Sequence, residues 1–365
     1  MTYMFCTITW EVSFPMRRSI IHLIWAVALV FSSRVQAGKQ GQSSPGSPRV
    51  VSLVLEPSRL DAAQKGYTLL PKAQELTDGD GASFYGKAAQ SLPTSRGPKE
   101  LVDWTRTPLR DLPQAQVQAV LQQAKASLDL VGQGVKCKGC NWPPFVPGTM
   151  PANLTEYRQL TFLLCLKARL QIAQGQYDQA IETIGTGLAM AKHVGEAPTL
   201  VQGMTGIAMA APMLRPVEDL AQTKGGPNLY QTLRALPCPL VNIEVPIAAE
   251  LKNLESSRQY NALTRGLLRN QLEESHKRVR VTTSRLDGDV AALQCIEALR
   301  HYAAAHQGQL PKQLSEITEM QVPQDPVSGK PFAYRYDGSK AVLEVSVPKG
   351  GTPRDSTRYE ITVVR

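Results

Sequence analysis

The chain has 365 residues, of which 42% are hydrophobic, and a formal net charge of +9. This composition is ordinary for a globular protein, and the length allows one large domain or two to three smaller ones. The basic excess favours solubility and weak attraction to anions, but no block of like charge is long enough to indicate a nucleic-acid-binding arm. We therefore expect a globular protein with a sizeable core and no nucleic-acid partner.

The N-terminus has the pattern of a secretory signal. Arg17 and Arg18 precede an apolar run over 20–31, and small residues follow at the position of a cleavage site. This predicts a signal peptide over 1–37, with Met16 as an alternative start, and export to the periplasm or the extracellular space. The run is shorter than the roughly 20 apolar residues of a membrane span. Cleavage would leave no stable membrane insertion, and an uncleaved anchor helix is the alternative.

The next elements alternate between breakers and short periodic segments. Residues 38–48 are rich in Gly, Ser and Pro and indicate a flexible leader, and the β-branched stretch that follows predicts a strand over 49–55. The segment 49–150 is expected to be mixed, with that one short strand and helices. The clearest helix of this segment is predicted over 114–130, and residues 131–148 are predicted to form a loop.

An acidic turn lies inside this mixed segment. Residues 77–81 read Thr-Asp-Gly-Asp-Gly, so Asp78 and Asp80 are candidate calcium ligands. The downstream glutamate of a helix-loop-helix calcium site is missing, which favours a loop or a helix cap. We expect no cofactor and no metal here.

The Cys-x-x-Cys pair in the predicted loop is the sharpest chemical signal. Cys137 and Cys140 have the spacing of a disulfide, a redox motif or half of a metal site. No second ligand pair is near in sequence, and a structural or incidental role is favoured, with a local disulfide as the next alternative. The three other cysteines after the signal are Cys165, Cys238 and Cys295, and the odd total means that at least one is unpaired or pairs between chains. Trp142 is followed by two prolines, which predicts a rigid structural loop. We expect Trp142 to be mostly buried beside Cys140, and Cys137 to be the more exposed thiol.

Residues 154–223 contain the longest helical periodicity. Apolar residues recur at helical spacing, Gly175 interrupts them, and a third helix begins near Thr199. That third helix contains small residues, which are unfavourable inside helices and therefore indicate close contact with a neighbour. They are Gly203, Gly206, Ala208, Ala210 and Ala211.

A polar, basic stretch follows and predicts an exposed helix. It covers about 247–281, a break is expected at residues 285–289, and a last helix is predicted over 290–305. Its basic residues are interrupted by Glu273 and Glu274 and lack interleaved aromatics, which favours a solvated helix face over nucleic-acid binding. They are Arg265, Arg269, Lys277, Arg278, Arg280 and Arg285.

The C-terminal segment 322–338 contains a Gly-Lys pair, Gly329 and Lys330. A phosphate-binding loop would need an earlier glycine and a following helix, and neither is present. Proline and glycine instead indicate turns, and the alternating residues over 332–347 predict a β-hairpin.

Two segments resemble known families. Residues 166–192 resemble a tetratricopeptide-type helical hairpin, carried by Gly175, Tyr177, Ala180, Ile184 and Leu188, although Lys192 stands where that family usually has proline. The C-terminus resembles the globular end of type II secretion major pseudopilins. The matching residues are Leu299, Tyr302, Gly308, Leu310, Pro311, Leu314, Asp325, Pro326, Gly329, Pro331, Phe332 and Tyr334. The long apolar helix and the calcium loop of those proteins are missing, so the resemblance implies neither pilus assembly nor calcium binding.

Taken as a whole, the order of parts resembles uncharacterised exported α-helical proteins of planctomycete-type bacteria. We therefore expect a mainly α fold of stacked, tetratricopeptide-like helical hairpins over 151–285, with a pseudopilin-like helix and β-hairpin module over 286–365. The function expected is that of a non-enzymatic envelope protein that binds a protein or peptide through its helical-repeat surface. The alternative is an enzyme whose site is assembled from distant residues, thiol- or metal-dependent around Cys137 and Cys140.

Overall fold

The computed structural model describes residues 46–60, 66–93, 98–143, 149–258 and 260–364. Within these residues the protein is mainly α, with stacked helical hairpins and a small C-terminal β region, as the sequence predicts. The predicted signal peptide and most of the predicted leader lie outside the described residues. No helix of the described ranges is long and apolar enough to cross a membrane.

The elements are numbered here in chain order. The helices are α1 Gly81–Gln90, α2 Pro98–Arg106, α3 Gln114–Gln123, α4 Lys125–Gly134, α5 Leu154–Ala173, α6 Tyr177–Gly195, α7 Leu200–Met213, α8 Arg215–Ala221, α9 Tyr230–Arg234, α10 Glu244–Ser256 and α11 Ala262–Ala305. The strands are β1 Arg49–Leu55, β2 Thr77–Asp80, β3 Cys137–Gly139, β4 Gln324–Asp325, β5 Lys330–Pro331, β6 Ala333–Tyr336, β7 Ala341–Glu344 and β8 Thr357–Val363.

Helices α5, α6 and α7 form the centre of the fold. The periodic leucines of α5, including Leu163, Leu166 and Leu170, are all buried. The chain reverses at Gly175, whose φ of 72° lies in the left-handed region that favours glycine. Helix α6 then packs against α5, and α7 against α6. This confirms the predicted break at Gly175 and the predicted start of a third helix after Thr199.

The small residues of α7 lie where two helix backbones meet. A Cβ atom built on Gly206 would lie 2.4 Å from the Gly195 Cα atom and 2.5 Å from the Ala191 carbonyl oxygen, both on α6. A contact this close between backbones leaves no room for a side chain. The prediction that small residues mark a helix contact is confirmed at Gly206.

The strands from the two ends of the described chain form one sheet. Its order is β1-β8-β7-β6, with β1 parallel to β8 and the other pairs antiparallel. The predicted strand over 49–55 is confirmed. Its pairing with Thr357–Val363, about 300 residues away, was not foreseen from the sequence.

Gly329 ends the turn between β4 and β5, and Lys330 begins β5. Gly329 has a φ of 66°, and the buried Asp325 carboxylate accepts hydrogen bonds from the Val327 and Ser346 backbone N–H groups at 2.9 and 3.0 Å. Strand β6 then pairs with β7 as the predicted hairpin. These observations confirm the turn and hairpin interpretation.

Two predictions of where helices end are wrong. The predicted helix 114–130 is two helices, α3 and α4, which meet at Ala124, and the second continues to Gly134 into the predicted loop. The predicted break at 285–289 is absent, since α11 runs unbroken through Gly288. A Cβ atom on Gly288 would lie 2.5 Å from Val345 Cγ1, so this glycine is a packing contact with the β region rather than a helix end.

Candidate functional site

The Cys-x-x-Cys segment packs against the acidic turn at residues 77–81. Strand β3 pairs with β2, which places Cys137 beside Gly79 with its side chain 3% exposed. The Asp80 carboxylate accepts hydrogen bonds from the backbone N–H groups of Ala82 at 3.1 Å and Asn141 at 2.7 Å. Asp80 is therefore the N-cap of α1 and ties the cysteine segment to it, which confirms the cap interpretation of this turn.

The other aspartate of the turn lies in an ion pair. Asp78 and Lys138 are both exposed, with Asp78 Oδ1 2.7 Å from Lys138 Nζ. Among the residues that the structure describes, no group of three or more His, Cys, Asp or Glu side chains is placed to hold a metal ion.

Trp142 lies among aromatic side chains at the end of α6. Its ring stacks on Tyr85, with ring centroids 6.2 Å apart, and meets Tyr157 edge-on at 6.1 Å. Its Nε1 donates a hydrogen bond to the His193 carbonyl oxygen at 3.1 Å, and the Tyr85 hydroxyl lies 2.6 Å from His193 Nδ1. Trp142 packs against the hydrophobic core and most of its side chain is covered, as predicted.

The predicted exposure of the two thiols is reversed. Cys137 is buried because strand β3 pairs with β2, whereas Cys140 is half-buried beside Gly81. Burial, reinforced by the nearby Asp80 carboxylate, raises the pKa of the Cys140 thiol to about 12. Both cysteines are free thiols in this structure. A disulfide between them stays a prediction.

The thiols should differ in reactivity according to their burial. In native protein at pH 8, we expect a thiol reagent to label Cys238 first, because it is the exposed one of the five cysteines that the structure describes. Cys137, Cys165 and Cys295 are buried and should react only as the protein opens. Peptide mass spectrometry after timed labelling measures this order, with denatured protein as the control. Labelling of Cys140 ahead of Cys238 would contradict the structure and would indicate an activated thiol.

Helix α10 and the first half of α11 form a helical hairpin. Its base is fixed to the body by carboxylates. Glu250 Oε1 accepts a hydrogen bond from the Leu200 N–H at 2.7 Å, and Glu244 pairs with Arg280 through two hydrogen bonds of 2.9 Å. Asp287 Oδ1 accepts from the Leu240 N–H at 2.9 Å. These bonds hold α10 against α7 and α11.

Two of these carboxyl groups have raised pKa values. Burial raises the pKa of Glu250 to about 7 and that of Asp287 to about 6, while the bonds from Leu200 and Leu240 oppose the shift. A carboxyl group whose pKa is higher in the folded state stabilises the fold fully below its unfolded pKa. That contribution is lost as the pH rises through the folded pKa.

The variant Glu250→Gln should therefore be more stable than the original chain at pH 8. Glutamine keeps the acceptor for the Leu200 N–H and carries no charge to desolvate, so we expect a gain of about 2–3 kcal/mol in the free energy of unfolding. Near pH 4 the two chains should differ little. Denaturant unfolding at both pH values measures this, and an equal difference at both would contradict the raised pKa.

The tip of the hairpin is exposed and apolar on one side. Leu263 is 76% exposed and Leu267 is 63% exposed, and the two lie one turn apart on α11. The opposite side of the same helix packs inward through His276, Val279 and other residues. The sequence pattern predicted a solvated helix face here, and the exposure of the two leucines was not foreseen. Their spacing of four within a basic helix was the available signal.

The basic residues around the tip are exposed or half-exposed, as predicted. Arg269 pairs with Glu255, and Lys277 with Glu274 at 2.7 Å. Exposed pairs of this kind contribute little to stability. Between residues 252 and 271 the sequence has four basic residues and one acidic residue, so the tip is positively charged.

The fold and this exposed hairpin together define a mainly α protein with a helical arm that carries an apolar, basic tip. Comparison with known proteins found no matching family model, no matching curated protein and no matching solved structure.

Proposed function

We propose that the chain is an exported, non-enzymatic envelope protein that binds a protein or peptide partner through the α10–α11 hairpin. The observation that carries this proposal is the pair Leu263 and Leu267, which expose most of their side chains on a folded helix. Scattered exposed apolar residues are common, but two bulky ones one turn apart at the end of an arm form a contact surface. The export part rests on the N-terminal sequence pattern alone.

The position of the tetratricopeptide-like helices supports the choice of the hairpin. Helices α5, α6 and α7 bury most of their residues inside the fold. They therefore offer little open surface of the kind that helical repeats use for binding. Within the predicted hairpin region, the first half of α11 offers the most exposed helical surface.

The chemistry of the cysteine segment supports a binding function over the thiol-dependent alternative. A nucleophilic cysteine needs a lowered pKa, and burial raises the pKa of both Cys137 and Cys140. The Asp80 carboxylate raises the pKa of both thiols further, because its negative charge disfavours a thiolate. Trp142, Tyr85 and His193 bond to one another rather than to either sulfur.

A paired substitution tests the proposal. The variant Leu263→Ser with Leu267→Ser removes the apolar surface without touching the core, so its melting temperature should stay close to that of the original chain. We expect it to lose the partner that the original protein retains when immobilised and exposed to envelope extract. The matched control is Val50→Ser with Val54→Ser, which removes two exposed apolar side chains from β1 and should retain the partner.

Two results would overturn the proposal. One is retention of the same partner by the leucine variant and the original chain. The other is turnover by the purified protein in a substrate screen that is abolished by Cys140→Ser.

A further inference from the structure

A cleft of about 370 Å³ separates the end of α10 from the start of α11 at the hairpin tip. It is lined by Leu254, Glu255, Ala262, Arg265, Gly266 and Arg269. Apolar groups therefore meet two guanidinium groups in one concave surface. This volume suits one or two side chains of a bound segment rather than a whole small protein domain.

Gly266 leaves the cleft open. A Cβ atom built there would meet nothing within 4 Å, and the residue lies inside a regular helix without a positive φ. Neither packing nor backbone conformation therefore requires glycine at this position. Glycine lowers helix stability compared with alanine. At Gly266 the backbone of α11 is therefore open to the cleft, with no side chain over it.

Both arginines of the cleft form hydrogen bonds with Glu255. Arg269 bonds to the Glu255 carboxylate, and Arg265 Nη1 donates to the Glu255 carbonyl oxygen at 3.1 Å. Glu255 is exposed and belongs to α10, on the opposite wall of the cleft. Its carboxylate shows where an acidic group from a partner would meet the arginines. Because an exposed ion pair of this kind is weak, a carboxylate of the partner can take the place of Glu255.

We infer that this cleft binds an acidic, apolar peptide segment of the partner. One carboxylate of that segment pairs with Arg265 and Arg269, and a neighbouring apolar side chain rests on Leu254 and over Gly266. Residues 252–271 carry four basic residues against one acidic residue, which complements such a segment and repels a basic one. The inference rests on the proposed function, because it names the chemistry of the partner at the same hairpin.

Three short synthetic peptides test the inference by fluorescence anisotropy. They alternate leucine with glutamate, with glutamine or with lysine. We expect the glutamate peptide to bind about tenfold or more tightly than the glutamine peptide, the lysine peptide not to bind, and the affinity to fall as salt is added. Equal binding of the glutamate and glutamine peptides would overturn the inference.

Variants of the cleft sharpen this test. Gly266→Trp fills the cleft and should weaken binding of the glutamate peptide about tenfold or more. Glu255→Gln removes the carboxylate that competes with the peptide for Arg269, and it should increase the affinity for the glutamate peptide a few-fold. Unchanged binding by Gly266→Trp with an unchanged melting temperature would overturn the inference. The inference would also be overturned if the protein bound vesicles of phosphatidylcholine and phosphatidylglycerol but did not bind the glutamate peptide.

Comparing Gly266→Trp with the Leu263→Ser, Leu267→Ser variant distinguishes binding at the cleft from binding elsewhere on the hairpin. If Gly266→Trp still retains the envelope partner that the Leu263→Ser, Leu267→Ser variant loses, the hairpin binds but the cleft does not, and only the inference is overturned. If both variants retain the partner, the proposed function and the inference are both overturned.

Discussion

Replacing Arg169 with methionine is expected to lower the free energy of unfolding by about 3–5 kcal/mol. Arg169 lies on α5 and is fully buried, and its Nε donates a hydrogen bond to Asp219 Oδ2 at 2.6 Å. Its two terminal nitrogens donate to the backbone carbonyl oxygens of Trp104 and Thr107 at 2.7 and 2.5 Å. Methionine fills much of the volume, but it removes the closest partner of the buried Asp219 carboxylate, whose other cationic neighbour is Arg215 Nε at 3.9 Å, and it leaves both carbonyl groups without this donor.

Two further variants give this prediction its controls. Arg335→Met breaks an exposed contact with Glu344 at 3.3 Å and should change stability by less than about 1 kcal/mol. The double variant Arg169→Met with Asp219→Leu also removes the buried carboxylate that has lost its closest partner, and it should recover part of the loss. Thermal and urea unfolding measure all three, and an effect of Arg169→Met as small as that of Arg335→Met would contradict the buried network.

The second large effect is expected for Gly206→Ala, which should cost about 3 kcal/mol of stability. The added methyl group would lie 2.4 Å from Gly195 Cα and 2.5 Å from the Ala191 carbonyl oxygen. Both are backbone atoms of α6, so no side chain can rotate away and the two helices must separate. Such a shift would loosen packing along α6 and α7 together.

A glycine in open space provides the comparison. Gly132 lies inside α4, and a Cβ atom there would meet nothing within 4 Å. Gly132→Ala should therefore stabilise the protein by a few tenths of a kcal/mol up to about 1 kcal/mol, as alanine favours helix. Urea unfolding of the two variants side by side measures the difference. Similar effects at both positions would show that α6 and α7 are not in backbone contact.

The helices were predictable from the sequence where local signals agreed. Leucines at helical spacing in α5, the left-handed Gly175 and the small residues of α7 each carry their structural meaning within a few positions of the chain. The β6–β7 hairpin was predictable for the same reason, because its two strands and its turn are adjacent in sequence.

Contacts between distant segments could not be predicted this way. The sequence of β1 indicates a strand but not that it pairs with β8, because nothing local specifies a partner about 300 residues away. Gly288 suggested a break in the helix. The helix is in fact continuous, and a glycine occurs there because a side chain would collide with Val345. Cys137 and Cys140 were assigned the wrong relative exposure because the pairing of β2 with β3 decides which thiol turns inward.

The proposed binding surface was only partly predictable. Arg265 and Arg269 were recognised as exposed cations, and the structure adds that both line a cleft with Glu255 and Gly266. Periodicity alone does not show whether leucines in a polar helix face the core or the solvent. Leu268 and Leu272 lie on the half-buried side, whereas Leu263 and Leu267 face outward.

Site-specific photo-crosslinking tests most directly the claim that the hairpin tip is the binding surface. A photoreactive residue is placed at position 263 in one protein and at position 54, on β1, in another, and each is irradiated in the cell envelope. We expect position 263 to cross-link to a polypeptide partner, at an acidic segment, and position 54 not to do so. Cross-linking of the partner from position 54 and not from position 263 would contradict the account.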